Sequence, residues 1–194
     1  MTSLREKDWA PKYDSDVGSL LRDFYVPALM SAVRYDRSTG FFSARALMLA
    51  ARGIAGLVRN EGQMRLVIGC TLDQHHVDAI ARGQELKKTV QAQLLANPLE
   101  AGDQQAIDAL ELLAWMVANS YLQVKVAVPC GEQGNPVTAL GIFHEKAGVI
   151  EDADGNRIAF NGSNNETASG WAGNWESFHV YKSWNGPDEH LEAE

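Results

Sequence analysis

Among 194 residues there are only two cysteines, Cys70 and Cys130. They stand far apart, each closing an apolar run (RLVIGC and VKVAVPC), which excludes a disulfide framework and reads as two buried free thiols in a reducing compartment. No apolar run reaches membrane-spanning length, and no N-terminal stretch has the basic-then-apolar layout of a signal peptide. The expected location is therefore the cytoplasm, with no membrane partner. Internal repeats and low-complexity segments are missing too. So is the Walker-type GxxxxGK[ST], which leaves the sequence without an ATPase of its own. Positive charge is also short: 17 Lys and Arg against 25 Asp and Glu give a formal net charge of −8. That balance weighs against a polyanionic substrate, but much of the acid lies in the tail DEHLEAE and in the turn EDADGN, where solvated faces are the ordinary explanation. Arg34, Arg37, Arg45, Arg52 and Arg59 fall along one segment and suit either a phosphate rim or plain solubility.

What is present is enough for one core, since 45% of the residues are hydrophobic. After a polar N-terminal arm, VGSLLRDFYVPALMSAVRYD has helical spacing with a break near Pro27. RSTGFFS reads as a short strand, ARALMLAARGIAGLVRN as a helix and QMRLVIGC as a buried parallel strand, together a β-α-β unit. Two or three helices follow over 71–97 and 102–120, then the strand YLQVKVAVPC. GIFHEKAGVI and RIAFNGS form a hairpin about Asp154-Gly155-Asn156, and SFHVYKSW closes the sheet. The pattern predicts an α/β fold: a mixed β-sheet flanked by helices on both faces.

The chemistry concentrates in that hairpin. On an extended run His144 and Lys146 share a face, and Ser163 and Asn165 are aimed similarly from the next strand. Imidazole attacks phosphorus or protonates a leaving oxygen, while ammonium and amide hold the non-bridging oxygens. The bland reading of His144 is a satisfied core histidine. Ser43, just ahead of ARALMLAARG, reads as an N-cap, and a helix N-terminus is also a ready anion site. His75 and His76 are adjacent and lack the spacing of zinc-binding helices, so no metal site is expected. Trp171, Trp175 and Trp184 surround the hairpin in sequence as core or rim residues, with base stacking the lesser option.

With His144, Lys146, Gly162, Ser163 and Asn165, followed by Asn174 and Glu176, the sequence resembles the phospholipase D-like (HKD) superfamily, whose half-site reads HxKxxxxD, then GSxN and NxE. The resemblance runs from about Tyr35 to Trp184 and implies a single half-domain over 17–185, between a polar arm (1–16) and an acidic tail (186–194). It implies His144 as nucleophile or acid, Lys146 and Asn165 as phosphate-holding groups, Ser163 as a supporting donor, and Glu176 braced by Asn174. One position departs: Glu151 stands where the family has aspartate and Asp152 follows, so the acidic role is either lengthened or shifted by one residue. No cofactor and no metal are implied. Because only one half-site is present, the resemblance implies a homodimer completing a two-histidine site.

The stretch from Phe24 to Cys70 taken with the HEK hairpin looks like the phospholipase D-like domain at the N-terminus of bacterial superfamily 2 helicases linked to restriction and defence genes. That implies a metal-independent phosphodiesterase acting on nucleic acid, DNA ahead of RNA, with a helicase domain or subunit as a further partner. The alternative is a non-catalytic nucleic-acid-binding or assembly module of a larger helicase protein. A lipid phosphodiesterase is the third and weakest reading.

Overall fold

The computed structural model describes residues 2–69, 104–131, 133–134, 143–165 and 167–185, and the statements below concern these. Seven strands form one mixed sheet: β1 (Lys12–Asp14), β2 (Ala32–Thr39), β3 (Gln63–Gly69), β4 (Leu122–Ala127), β5 (Ala147–Asp152), β6 (Arg157–Gly162) and β7 (Ser177–Lys182). Their order is β1-β7-β6-β5-β2-β3-β4. β2, β3 and β4 run parallel, and the other neighbouring pairs are antiparallel. The helices are α1 (Val26–Ser31), α2 (Ala44–Leu49), α3 (Ala51–Arg59), α4 (Gln104–Ala118) and α5 (Ala168–Ala172). The α/β class and mixed sheet expected from the sequence are both present. The helices expected over 71–97, with His75 and His76, lie outside the described residues, as do Cys70 and the acidic tail.

Pro27 interrupts the first helix as its chemistry requires. Without an N–H and with a ring that crowds the preceding turn, it follows a π-helical turn (Leu21–Tyr25) and sits in the first turn of α1. The helix then ends five residues earlier than its apolar spacing suggests, at Ser31, because Ala32–Thr39 is the central strand. Tyr35, Arg37 and Thr39 are buried on one face of that strand, while Arg34, Asp36 and Ser38 alternate on the other. The sequence pattern alone places the start of this strand only at Arg37. The helix expected over 44–60 is split at Ala50 into α2 and α3. Close helix packing is secured by Gly56, where a Cβ would come within 2.5 Å of Met30 Cα in α1.

One core cluster joins the sheet to the helices. Phe24 stands at its centre, with ring centroids 4.8 Å from Phe178 and 5.0 Å from Phe160 in near-perpendicular contacts. The arm that looked merely polar takes part: Leu4 and Trp9 are buried, Trp9 Nε1 donates to Leu4 O (2.6 Å), and β1 extends the sheet alongside β7. Cys130 differs from expectation. The strand ends at Ala127, Val128-Pro129 lead the chain beyond it, and the thiol is exposed.

The topology fixes where a site can form. The parallel strands end together at Thr39, Gly69 and Ala127, and the antiparallel β5 starts beside the end of β2, with Ala147 opposite Ser38. Residues 143–146 therefore enter at the carboxyl edge of the parallel strands, the edge where open α/β sheets bind ligands.

Candidate active site

His144 and Lys146 precede β5 with the same parity as its inward residues Gly148, Ile150 and Asp152, so both belong to the core-side face where the core gives out. His144 is exposed and Lys146 half-buried. Asn165 reaches the same place from the turn after β6. Between them lies Gly40: a Cβ there would be 2.9 Å from His144 Cδ2 and 3.3 Å from Asn165 Oδ1. Asn165 Oδ1 accepts from Phe41 N (3.2 Å) and lies 3.3 Å from Thr39 Oγ1. The donor on the carbonyl end leaves the amide nitrogen end as the group offered to an anion. Ser43, three residues past Gly40, occupies the N-cap position of α2 in extended conformation without capping the first turn by its hydroxyl.

Gly162 and Ser163 are set by the approach of β6 to β7. A Cβ on Gly162 would run into Ser177 O and lie 2.5 Å from Phe178 Cα. Ser163 Oγ donates to Glu176 Oε2, and Ser177 N donates to Ser163 Oγ (3.1 Å). Asn174 Nδ2 donates to Glu176 Oε1 (3.3 Å), so the later NxE pair converges on the serine of the GSxN turn. Glu176 is 9% exposed.

The Lys146 ammonium donates to the carbonyl of His144 (3.1 Å). Burial pulls its pKa below the usual lysine value; Glu176 opposes that pull and Arg37 reinforces it. Arg37 is the participant whose part the sequence left undefined. Only 2% exposed on β2, it donates through Nη2 to Asn164 O (2.5 Å) and lies 5.1 Å from the Phe160 ring centre. It thereby braces the turn that carries Asn165. A basic residue of inward parity in a strand was the only sequence signal available.

The two candidate acids separate. Glu151 pairs with Arg157 (2.7 Å) at the far end of β5, roughly 16 Å along the strand from Lys146 at about 3.3 Å per residue. Asp152 is buried and accepts from Leu4 N (2.8 Å), Ser3 Oγ (2.9 Å), Asn156 N (2.9 Å) and Asp154 N (3.0 Å). Burial alone would raise its pKa, but hydrogen bonds from Asn156, Leu4 and Ser3 outweigh it and hold the carboxyl below the usual aspartate value. It ties the hairpin turn to the N-terminal arm. Neither acid contacts the histidine.

Among the described residues no group of three or more His, Cys, Asp and Glu is arranged to hold a metal, and no helix is long and apolar enough to cross a membrane. Trp184 packs on the core, while Trp175, next to Glu176, is 89% exposed. Chemically, the cluster offers an exposed imidazole and an amide donor about Gly40 with a cation next to the histidine, and a serine–carboxylate pair near the lysine.

No family model and no curated protein matches the chain. Solved structures do. NucT from Helicobacter pylori aligns with 94% of this chain and 88% of its own at a TM-score of 0.51 and 14% identity. The phospholipase D family member Nuc from Salmonella typhimurium aligns with 93% of this chain and 86% of its own (TM-score 0.45, 20% identity). Phosphatidylserine synthase from Haemophilus influenzae Rd KW20 aligns with 89% of this chain and 34% of its own (TM-score 0.45, 12% identity). At these identities the property shared is the architecture, and the chain has the fold of NucT.

Proposed function

We propose that this chain is a phosphodiesterase domain that cleaves nucleic acid, DNA ahead of RNA, with the His144 imidazole as nucleophile. The observation that carries the reading is the meeting of His144 and Asn165 across Gly40, with Lys146 beside them. In the reaction, a His144 nitrogen forms a bond to phosphorus as the bond to one bridging oxygen breaks. Lys146 and the Asn165 amide stabilise the charge on the non-bridging oxygens. A second imidazole must protonate the leaving oxygen, then take a proton from the water that attacks the phosphohistidine and releases it. One chain supplies one such histidine. Two copies facing across a two-fold axis complete the pair, and the exposure of His144 suits that arrangement. Ser163 and Glu176, braced by Asn174, hold the GSxN turn in place, and the Glu176 carboxylate favours the charged form of Lys146. A helicase or restriction-type defence context belongs to the same proposal and rests on the resemblance of residues 24–70.

The test is cleavage of labelled DNA and RNA in EDTA by wild type, His144→Ala and mixed populations. Cleavage that survives chelation, is lost in His144→Ala and falls in heterodimers is the expected result. Loss in EDTA with recovery on adding a divalent ion would refute the histidine mechanism. A strict monomer that turns over substrate would refute the shared site. Binding without cleavage would favour the non-catalytic module.

A further inference from the structure

Phe41 is a large aromatic residue left 52% exposed at the very edge of the cluster. Its ring stands edge-on to the His144 imidazole, with centroids 6.3 Å apart and planes at 81°. Its backbone is held on both sides by site residues. Its N–H goes to Asn165 Oδ1 (3.2 Å), and its carbonyl accepts from Thr39 Oγ1 (2.9 Å). The ring therefore projects from a fixed stem, so a ligand meeting it pays little ordering cost. A single exposed phenylalanine is ordinary on a surface. One anchored through the same amide that faces the proposed phosphate position is placed for a ligand.

Charge selects the kind of ligand. Affinity for a polyanion through phosphate contacts comes from Lys and Arg displacing counterions, and at this cluster Lys146 is the cation described beside the proposed phosphate position, so a single contact contributes little. Stacking on an aromatic face is the other large sequence-independent source of affinity for nucleic acid, and it requires a base that is not already stacked in a duplex. We infer that Phe41 is a specificity-determining residue, stacking on the base next to the scissile phosphate and selecting single-stranded over double-stranded nucleic acid. The inference rests on the phosphodiesterase reading above and adds the substrate form.

The test uses the full chain carrying His144→Ala to stop turnover, with fluorescence anisotropy on three labelled probes: oligothymidylate, an abasic strand of equal length, and a duplex. On that background Phe41→Ala and Phe41→Leu should weaken oligothymidylate binding about 5- to 150-fold, the equivalent of about 1–3 kcal/mol for one stacked base. Phe41→Trp should restore it. The abasic strand and the duplex should bind the parent weakly and change less than about twofold, with thermal midpoints confirming that each variant is folded. Equal losses on oligothymidylate and abasic strand would mean that Phe41 acts by positioning Asn165, and would overturn the inference. So would an unchanged affinity for oligothymidylate. If wild type cuts duplex and single strand alike, stacking selectivity falls while the phosphodiesterase reading stands; if wild type neither binds nor cuts any probe, both fall.

Discussion

Replacing Asp152 by alanine should destabilise the protein by about 3–5 kcal/mol without touching the histidine cluster. The magnitude follows from its partners. Leu4 N is buried and loses its acceptor outright, which costs about 1–3 kcal/mol, and the bonds from Ser3 Oγ, Asn156 N and Asp154 N contribute about 0.5–1.5 kcal/mol each, partly recovered by water at the exposed turn. For a chain of this length each kcal/mol shifts the thermal midpoint by about 2–4 °C, so the expected fall is about 6–20 °C. Calorimetry at pH 7 measures it. Glu151→Ala, which removes only a half-exposed pair with Arg157, is the control and should cost about 0–1 kcal/mol. The pH dependence has a definite sign. The folded-state pKa of Asp152 is depressed, so its contribution is fully present above the unfolded-state value of about 3.9 and is lost as pH falls through the lower folded value. Wild type and Asp152→Ala should therefore converge in midpoint at strongly acidic pH. A larger loss for Glu151→Ala than for Asp152→Ala, or a gap that widens on acidification, would refute this reasoning.

Two further outcomes concern the cluster. Because burial lowers the Lys146 pKa, the alkaline fall in cleavage should begin below the ordinary lysine range. Lys146→Arg should move that limb upward and Glu176→Gln downward, as read from pH–rate profiles; identical limbs in all three proteins would exclude the ammonium as the titrating group. Gly40→Ala places a methyl 2.9 Å from His144 Cδ2 and should lower turnover about 10- to 100-fold, with the thermal midpoint changed by only a few degrees because the exposed ring yields before the sheet does.

Legibility in the sequence tracked the range of the interactions. The hairpin of β5 and β6 could be read because its determinants are local: inward Ile150, Ile158 and Phe160 at alternate positions, and a turn whose Gly155 sits at φ 79°. The meeting of His144 with Asn165 was likewise readable from spacing, since both flank that hairpin. β1 was not. KYD has no alternating apolar pattern, and it is a strand only because Lys12 pairs with His179 and Tyr13 with Phe178. The start of β2 at Ala32 was hidden for a similar reason: Ala-Val-Arg-Tyr continues a helical spacing, and the neighbouring strands decide against it. Nor could the sequence tell which of Glu151 and Asp152 is the buried, multiply bonded acid, because the donors to Asp152 include Ser3 and Leu4, about 150 positions earlier.

That last arrangement bears on the order in which the molecule can be built. Ser3 waits for Asp152, 149 positions later, and Ser15 for the backbone of Glu176, 161 positions later. During vectorial synthesis the segment around Ser3 and Ser15 finds these partners only after β5 and β7 have been made, and the GSxN turn has no Glu176 to lean on until that residue has emerged. Contacts of such separation make folding slow and late-closing. A ribosome-bound chain lacking β7 would thus carry His144 and Lys146 without the carboxylate beside them, so the cluster is assembled only with completion of the sheet.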